Sequence, residues 1–158
     1  NETNLKVEIA NDNSEGQIVL SGKTKNIEAL SEILKKDKIK NIKLPVSAPF
    51  HSSLMNKATM IMQEELKQLD FKNSQNTLIS NVTADEISKT EDIKSLLIKQ
   101  IESRVRWRES VINMINKGVN HFIEIGPGKV LSGLVKRINK NVKVDSINNE
   151  ADIESIKV

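Results

Sequence analysis

The chain has 158 residues, a 37% apolar and 28% charged composition and a formal net charge of +3, the balance of a folded domain long enough to bury a core. It contains no cysteine, which excludes disulfides and thiolate metal sites, and no apolar run approaches the ~20 residues that a membrane-crossing helix needs. Lysine is scattered among asparagine and isoleucine rather than gathered into a patch, so the basic balance does not describe a nucleic-acid surface.

The chain opens on Asn1 without a signal-like segment, which gives the expectation that it starts after processing or is a piece of something longer. "LKVEIAND" alternates apolar and polar residues and predicts a strand. "GQIVLSG" predicts a second strand between glycines. "TKNIEALSEILKK" spaces Ile27, Leu30 and Leu34 for a helix, with Thr24 as N-cap. "IKNIKLPVS" predicts a third strand, stopped by Pro45. "HSSLMNKATMIMQEELKQL" predicts a helix capped by its serines, and "TLISNVTA" a strand ending in turn formers. "TEDIKSLLIKQIES" predicts a helix over 90–103 with two acids in its first turn, which suits the helix dipole. "RWRESVINMINKG" predicts a helix closed by Gly118. "NHFIEIGPG" predicts a strand entering a glycine turn, "KVLSGLVKRINK" a helix and "VKVDSIN" a last strand. The alternation of helices and strands in the second part predicts an α/β layered architecture with a mostly parallel sheet.

The chemistry-bearing residues are few. "RVRWR" (104–108) holds alternating charges around Trp107, which fits a solvated face with a packed ring better than a nucleic-acid platform. "EIGPGKVLSG" fails as a phosphate loop because Val130 follows Lys129 where Ser or Thr is needed, and fails as a dinucleotide fingerprint because Leu131 stands in the third glycine's place. It is either a plain strand-to-helix turn or a helix N-terminus facing an anion. His121 has no nearby acid in sequence and reads as a surface histidine. His51, in "LPVSAPFHSSLM", follows two prolines that fix φ and remove two donors. It is either a partly buried histidine bonded to a carbonyl or a rigidly held general base, a role suited to imidazole because it titrates near neutrality. No GxSxG elbow accompanies it.

Four blocks occur in order: "ANDNSEGQIVLSG", "LPVSAPFHSSLM", "RVRWRESVINM" and "EIGPGKVLSGLVKRI". Their order resembles malonyl-CoA:acyl carrier protein transacylases over nearly the whole chain, and also the acyltransferase domains of polyketide synthases. The resemblance implies part of an α/β-hydrolase-like parallel-sheet subdomain plus part of an inserted ferredoxin-like subdomain. Residues 1–46 resemble the later part of the small subdomain, and 47–158 the later part of the large one. It also implies a missing N-terminal half carrying the GHSxG serine, an oxyanion-hole glutamine and an arginine for the malonyl carboxylate.

Carried over by position, His51 is the implied base and Gln100 the residue whose main-chain carbonyl bonds it. Asn11 and Asn13 match a segment near the coenzyme A or carrier-protein entrance, though Asx turns after a strand explain them equally well. Phe50 resembles a malonyl-type pocket residue that hinders branched acyl groups, and Val130 is expected to line the acyl pocket. The implied chemistry is ping-pong malonyl transfer in fatty acid synthesis, from malonyl-CoA to the carrier protein's thiol, with no metal or other cofactor. The implied setting is cytoplasmic, or an organelle of bacterial origin, with no nucleic-acid or membrane partner. Two other readings stay open: a non-catalytic carrier-protein binding module, and a structural fragment of a split or cleaved enzyme.

Overall fold

The first two strands, β1 (Val7–Ser14) and β2 (Gln17–Gly22), form an antiparallel hairpin with irregularities between Ile9 and Asn11 and between Asp12 and Ser14. The computed structural model describes residues 4–156. β1 turns Ala10, Asp12 and Ser14 inward, all buried. Asn11 and Asn13 therefore lie inside the strand rather than in Asx turns after it. α1 (Thr24–Lys36) packs on β2. Lys23, not Thr24, is its N-cap, and no side chain caps it. Thr24 is thus the first helical residue, because the chain leaves extended geometry only at Lys23.

Residues 39–46 are not a strand. They run without a ladder, since β1 and β2 pair with each other and no other strand lies alongside among the described residues; Pro45 also lacks an N–H to donate. A 3₁₀ turn (Ser53–Met55) leads into α2 (Asn56–Lys67). The serines at its start do not cap it: the Ser52 hydroxyl donates to the Pro49 carbonyl instead, at 2.7 Å.

The "TLISNVTA" strand is reduced to one bridge, Ile79 to Glu86. Asn and Thr close a turn there before a ladder can extend, with the Ala84 amide donating to the Ser80 carbonyl at 2.8 Å and Ala84 itself at φ 59°. α3 (Thr90–Gln100) follows and ends at Gln100, three residues short of the predicted span, where 101–103 unwind into a turn.

α4 (Trp107–Asn116) closes through Gly118 at φ 97°. The Gly118 and Val119 amides return to the Ile115 and Met114 carbonyls, a Schellman ending in which glycine supplies the left-handed residue. β3 (His121–Ile125) and β4 (Lys143–Ile147) pair in parallel across α5 (Val130–Ile138). A short α6 (Glu150–Ser155) ends the described chain. It was not predicted, although Asn149 and Asp152 form the capping box that marks its start.

The core lies between α4, α5 and one face of β3–β4. Val111, Val135 and Val142 are buried there among Trp107, Met114, Ile115, Phe122, Ile138 and Val144. Trp107, Val111, Met114 and Ile115 stand at i, i+4, i+7 and i+8 of α4, a single helical stripe. On the other sheet face Ile123 is 39% and Ile125 79% exposed. The molecule is mixed α/β as predicted; among the described residues its one parallel ladder is β3–β4, with an isolated parallel bridge between Asn11 and Val105. No helix among the described residues is long and apolar enough to cross a membrane.

Candidate active site

The segment between Pro45 and Met55 is bent tightly. Ser52 is fully buried and its hydroxyl closes the bend on Pro49. His51 between them sits at φ 56°, a left-handed conformation that a side-chain-bearing residue keeps only where its surroundings hold it. The partner is at the far end of α3. As the last residue of that helix, Gln100 has a main-chain carbonyl with no helical donor. That oxygen lies 3.0 Å from His51 Nδ1.

A carbonyl only accepts, so Nδ1 carries the hydrogen and donates it. In the neutral ring this leaves the lone pair on Nε2. The Gln100 side-chain Nε2 also lies 3.5 Å from Nδ1, but it is the longer contact, and that amide donates at 3.2 Å to the Ser103 carbonyl. The carbonyl contact therefore sets the tautomer.

One further contact joins these two segments, and three others tie the stretch after Gln100 and α4 to β1. The Val105 amide donates to the Ala10 carbonyl at 2.8 Å and the Asp12 amide to the Val105 carbonyl at 2.9 Å, which lays the stretch after Gln100 against β1. Asn56 donates to Glu102 at 3.2 Å, joining the start of α2 to the end of α3. The buried Asp12 carboxylate accepts from Arg108 Nη2 at 2.8 Å, fixing α4 against β1.

The other predicted residues are spread more widely. Phe50 adjoins His51 and is 50% exposed. Asn11 is half-buried on β1 and bridges Val105, and Asn13 is half-buried two residues on. Val130 opens α5, a separate element packed on α4, β1, β3 and β4, and is 71% exposed. The structure joins His51 to Gln100 directly but shows no contact of Val130 with that pair. Two surface grooves, one around Asp85, Asp92 and Lys99 and one around Lys129, Lys136 and Asp152, do not include His51.

Two sequence expectations are corrected here. His121 does have an acid partner: its Nε2 lies 2.7 Å from Asp145 Oδ2. Parallel pairing sets His121 opposite Lys143 and Ile123 opposite Asp145, so the two side chains share a face although 24 residues separate them. His121 holds the Asp145 carboxyl below its ordinary value, with Lys143 adding to the effect. Nor does the α5 N-terminus await an anion, because Glu124 supplies one. Its carboxylate accepts from the Ser132 amide at 2.7 Å and the Leu131 amide at 3.1 Å. Ser132 first, and then the Leu131 and Val130 amides, lower its pKa.

The "RVRWR" arginines are tied into the fold rather than simply solvated. Arg104 and Arg106 pair with Glu109, Arg106 also donates to the Thr83 carbonyl, and Arg108 holds Asp12. Trp107 packs on the core as expected. The residues that sequence reasoning missed are Glu8, Ser53 and Asn56, which hold the His51 turn. The only signal of Ser53 and Asn56 was proximity to the bend, and Glu8, 45 residues from its partner, carried none.

The family model for the acyl transferase domain matches residues 3–156. The malonyl CoA-acyl carrier protein transacylase of Bacillus subtilis is 47% identical over 149 residues, 94% of this chain and 47% of the relative. The crystal structure of the same-named protein from Clostridium perfringens superposes with a TM-score of 0.90 at 41% identity, covering 94% of this chain and 47% of that one. A malonyl-transacylase solved in complex with a type II polyketide acyl-carrier protein superposes with a TM-score of 0.89 at 33% identity, covering 94% and 48%. The chain thus spans about half the length of the relatives it matches.

Proposed function

Because this chain belongs to the acyl transferase domain family, we propose that it is the part of a malonyl-CoA:acyl carrier protein transacylase that supplies the catalytic base. The observation that supports this reading is the 3.0 Å contact between His51 Nδ1 and the Gln100 carbonyl. It leaves Nε2 as the acceptor for a nucleophile's proton.

The nucleophile is a serine in the N-terminal half that completes the enzyme. Nε2 takes the serine proton as the hydroxyl oxygen attacks the malonyl thioester carbonyl. The tetrahedral adduct collapses, the C–S bond breaks, and the imidazolium returns the proton to the leaving coenzyme A sulfur. The carrier protein's pantetheine thiol then attacks the malonyl-serine ester by the same steps in reverse. The Gln100 carbonyl stabilises the imidazolium that each half-reaction forms.

Residues 1–46 belong to the inserted small subdomain and 47–158 to the hydrolase-like one, with residues 1–3 and 157–158 outside the described residues. Asn11 and Asn13 face the entrance used by coenzyme A or the carrier protein, and Phe50 and Val130 line the acyl pocket. The reaction serves fatty acid synthesis in the cytoplasm. A non-catalytic module would give no reason for the orientation of His51 on Gln100. The test is single-turnover acylation by the completed enzyme with radiolabelled malonyl-CoA. His51→Ala is expected to slow serine acylation by ~10²–10⁴, and near-normal acylation overturns the assignment.

A further inference from the structure

The His51 turn has an anchor that comes from β1. Glu8 accepts one bifurcated hydrogen bond from the Ser53 amide, at 3.1 Å to one carboxylate oxygen and 3.2 Å to the other, and a second from the Ser53 hydroxyl at 2.6 Å. Ser53 opens the 3₁₀ turn that runs into α2, so its amide is among the donors that a helix start leaves unpaired. Among the described residues, the other hydrogen bonds on Pro49 to Ser53 include the Ser52–Pro49 closure, the Met55 amide on the Ser52 carbonyl at 3.0 Å and the His51–Gln100 contact itself. The closure shapes the bend but does not fix it in space. Glu8 does, two residues from a histidine held at φ 56°.

We propose that Glu8 is a positioning residue for His51: by gripping Ser53 from β1, it keeps the imidazole seated on Gln100 with Nε2 aimed at the nucleophile. The proposal rests on the reading of His51 as the base. Without Glu8 the turn keeps its shape but drifts from β1, and the ring spends less time on the carbonyl. Since β1 also carries Asn11 and Asn13, one carboxylate ties the proposed entrance strand to the proposed base.

The experiment uses the complete enzyme that contains this segment and compares wild type with Glu8→Ala, Glu8→Gln and Ser53→Ala. Sub-ångström misplacement of a reacting group costs on the order of ten-fold. Glu8→Ala is therefore expected to lower kcat for malonyl transfer about ten-fold, with KM for malonyl-CoA within about two-fold. Glu8→Gln, which keeps an oxygen acceptor, should recover part of the loss. A second readout is independent of transfer: the NMR resonance of the His51 Nδ1 proton, sharp in wild type and broadened by exchange in Glu8→Ala.

A kcat within two-fold of wild type together with an unchanged Nδ1 proton overturns the proposal. If Glu8→Ala does not fold, the same comparison in Glu8→Gln and Ser53→Ala decides. If the wild-type enzyme transfers no malonyl, the reading of His51 as base fails, and the imidazole resonance alone judges whether Glu8 holds the ring.

Discussion

On the proposed function, this chain by itself should not fold cooperatively. The accessible surface is 11,725 Å² for a mass of 17.7 kDa. A compact monomer of that mass would expose ~8,000 Å², and the extended chain ~26,000 Å². Folding therefore buries only ~55% of the chain's surface, less than the ~60% of a marginal 60-residue domain and well short of the ~70% usual at 150 residues. The excess of ~3,700 Å² is on the scale of the largest obligate interfaces. Part of it can be located. The sheet face bearing Ile123 and Ile125 is open, whereas parallel sheets are ordinarily covered on both sides. Leu97 on α3 and Leu78 in the turn before it are also exposed.

Differential scanning calorimetry of the isolated chain should show a broad or absent endotherm. Co-expression with the N-terminal half should restore a single transition. A monomer that unfolds sharply and reversibly alone, with an enthalpy near the ~0.7 kcal/mol per residue of ordinary domains, would refute the reasoning.

Gln100→Ala should slow transfer far less than His51→Ala, because the bond to Nδ1 uses a main-chain oxygen that alanine retains; equal losses in kcat would place the role in the side chain. Phe50→Ser should raise the relative use of methylmalonyl-CoA by removing a ring beside the base, and an unchanged ratio of kcat/KM for the two thioesters would remove Phe50 from selectivity. The Asp85 carboxyl is lowered to about 2 by the Glu86 amide first, then by Lys117 and Asn113. A lowered folded pKa stabilises the fold above the unfolded value of ~3.9 and loses that support as pH falls through about 2. In the complete enzyme the carboxyl should titrate by NMR near about 2, and Asp85→Asn should flatten the acid limb of the urea midpoint; a midpoint near the unfolded value would contradict the assignment.

Local chemistry made much of the fold legible. The segment 106–118 was legible as a helix with Gly118 marking where α4 must stop, and alternation identified β1. The two predicted strands that failed, at 39–47 and 77–84, carry suitable residues but no neighbour to complete a ladder, and strand formation depends on the neighbour. At the site, His51 was legible because two prolines and a lone imidazole are conspicuous, and Gln100 because of its place in the resemblance. Glu8 was not, since a carboxylate 45 residues away carries no local mark of its partner. The His121–Asp145 pair was hidden for the same reason: only the register of β3 on β4 brings it together.

The carboxylate of Glu124 folded onto the start of α5 fixes how the glycine turn can serve a ligand. Its amides are already engaged, and the charge beside them is negative. A phosphate or a malonate carboxylate arriving there would meet repulsion instead of donors. On the proposed function, the turn would then serve as a wall, excluding volume through Val130 and the glycine backbone. The anionic ends of coenzyme A and of the acyl group would, on that function, find their cations elsewhere, on arginine or lysine side chains. Replacing Glu124 would then do more than loosen a helix end: it would uncover the electropositive start of α5.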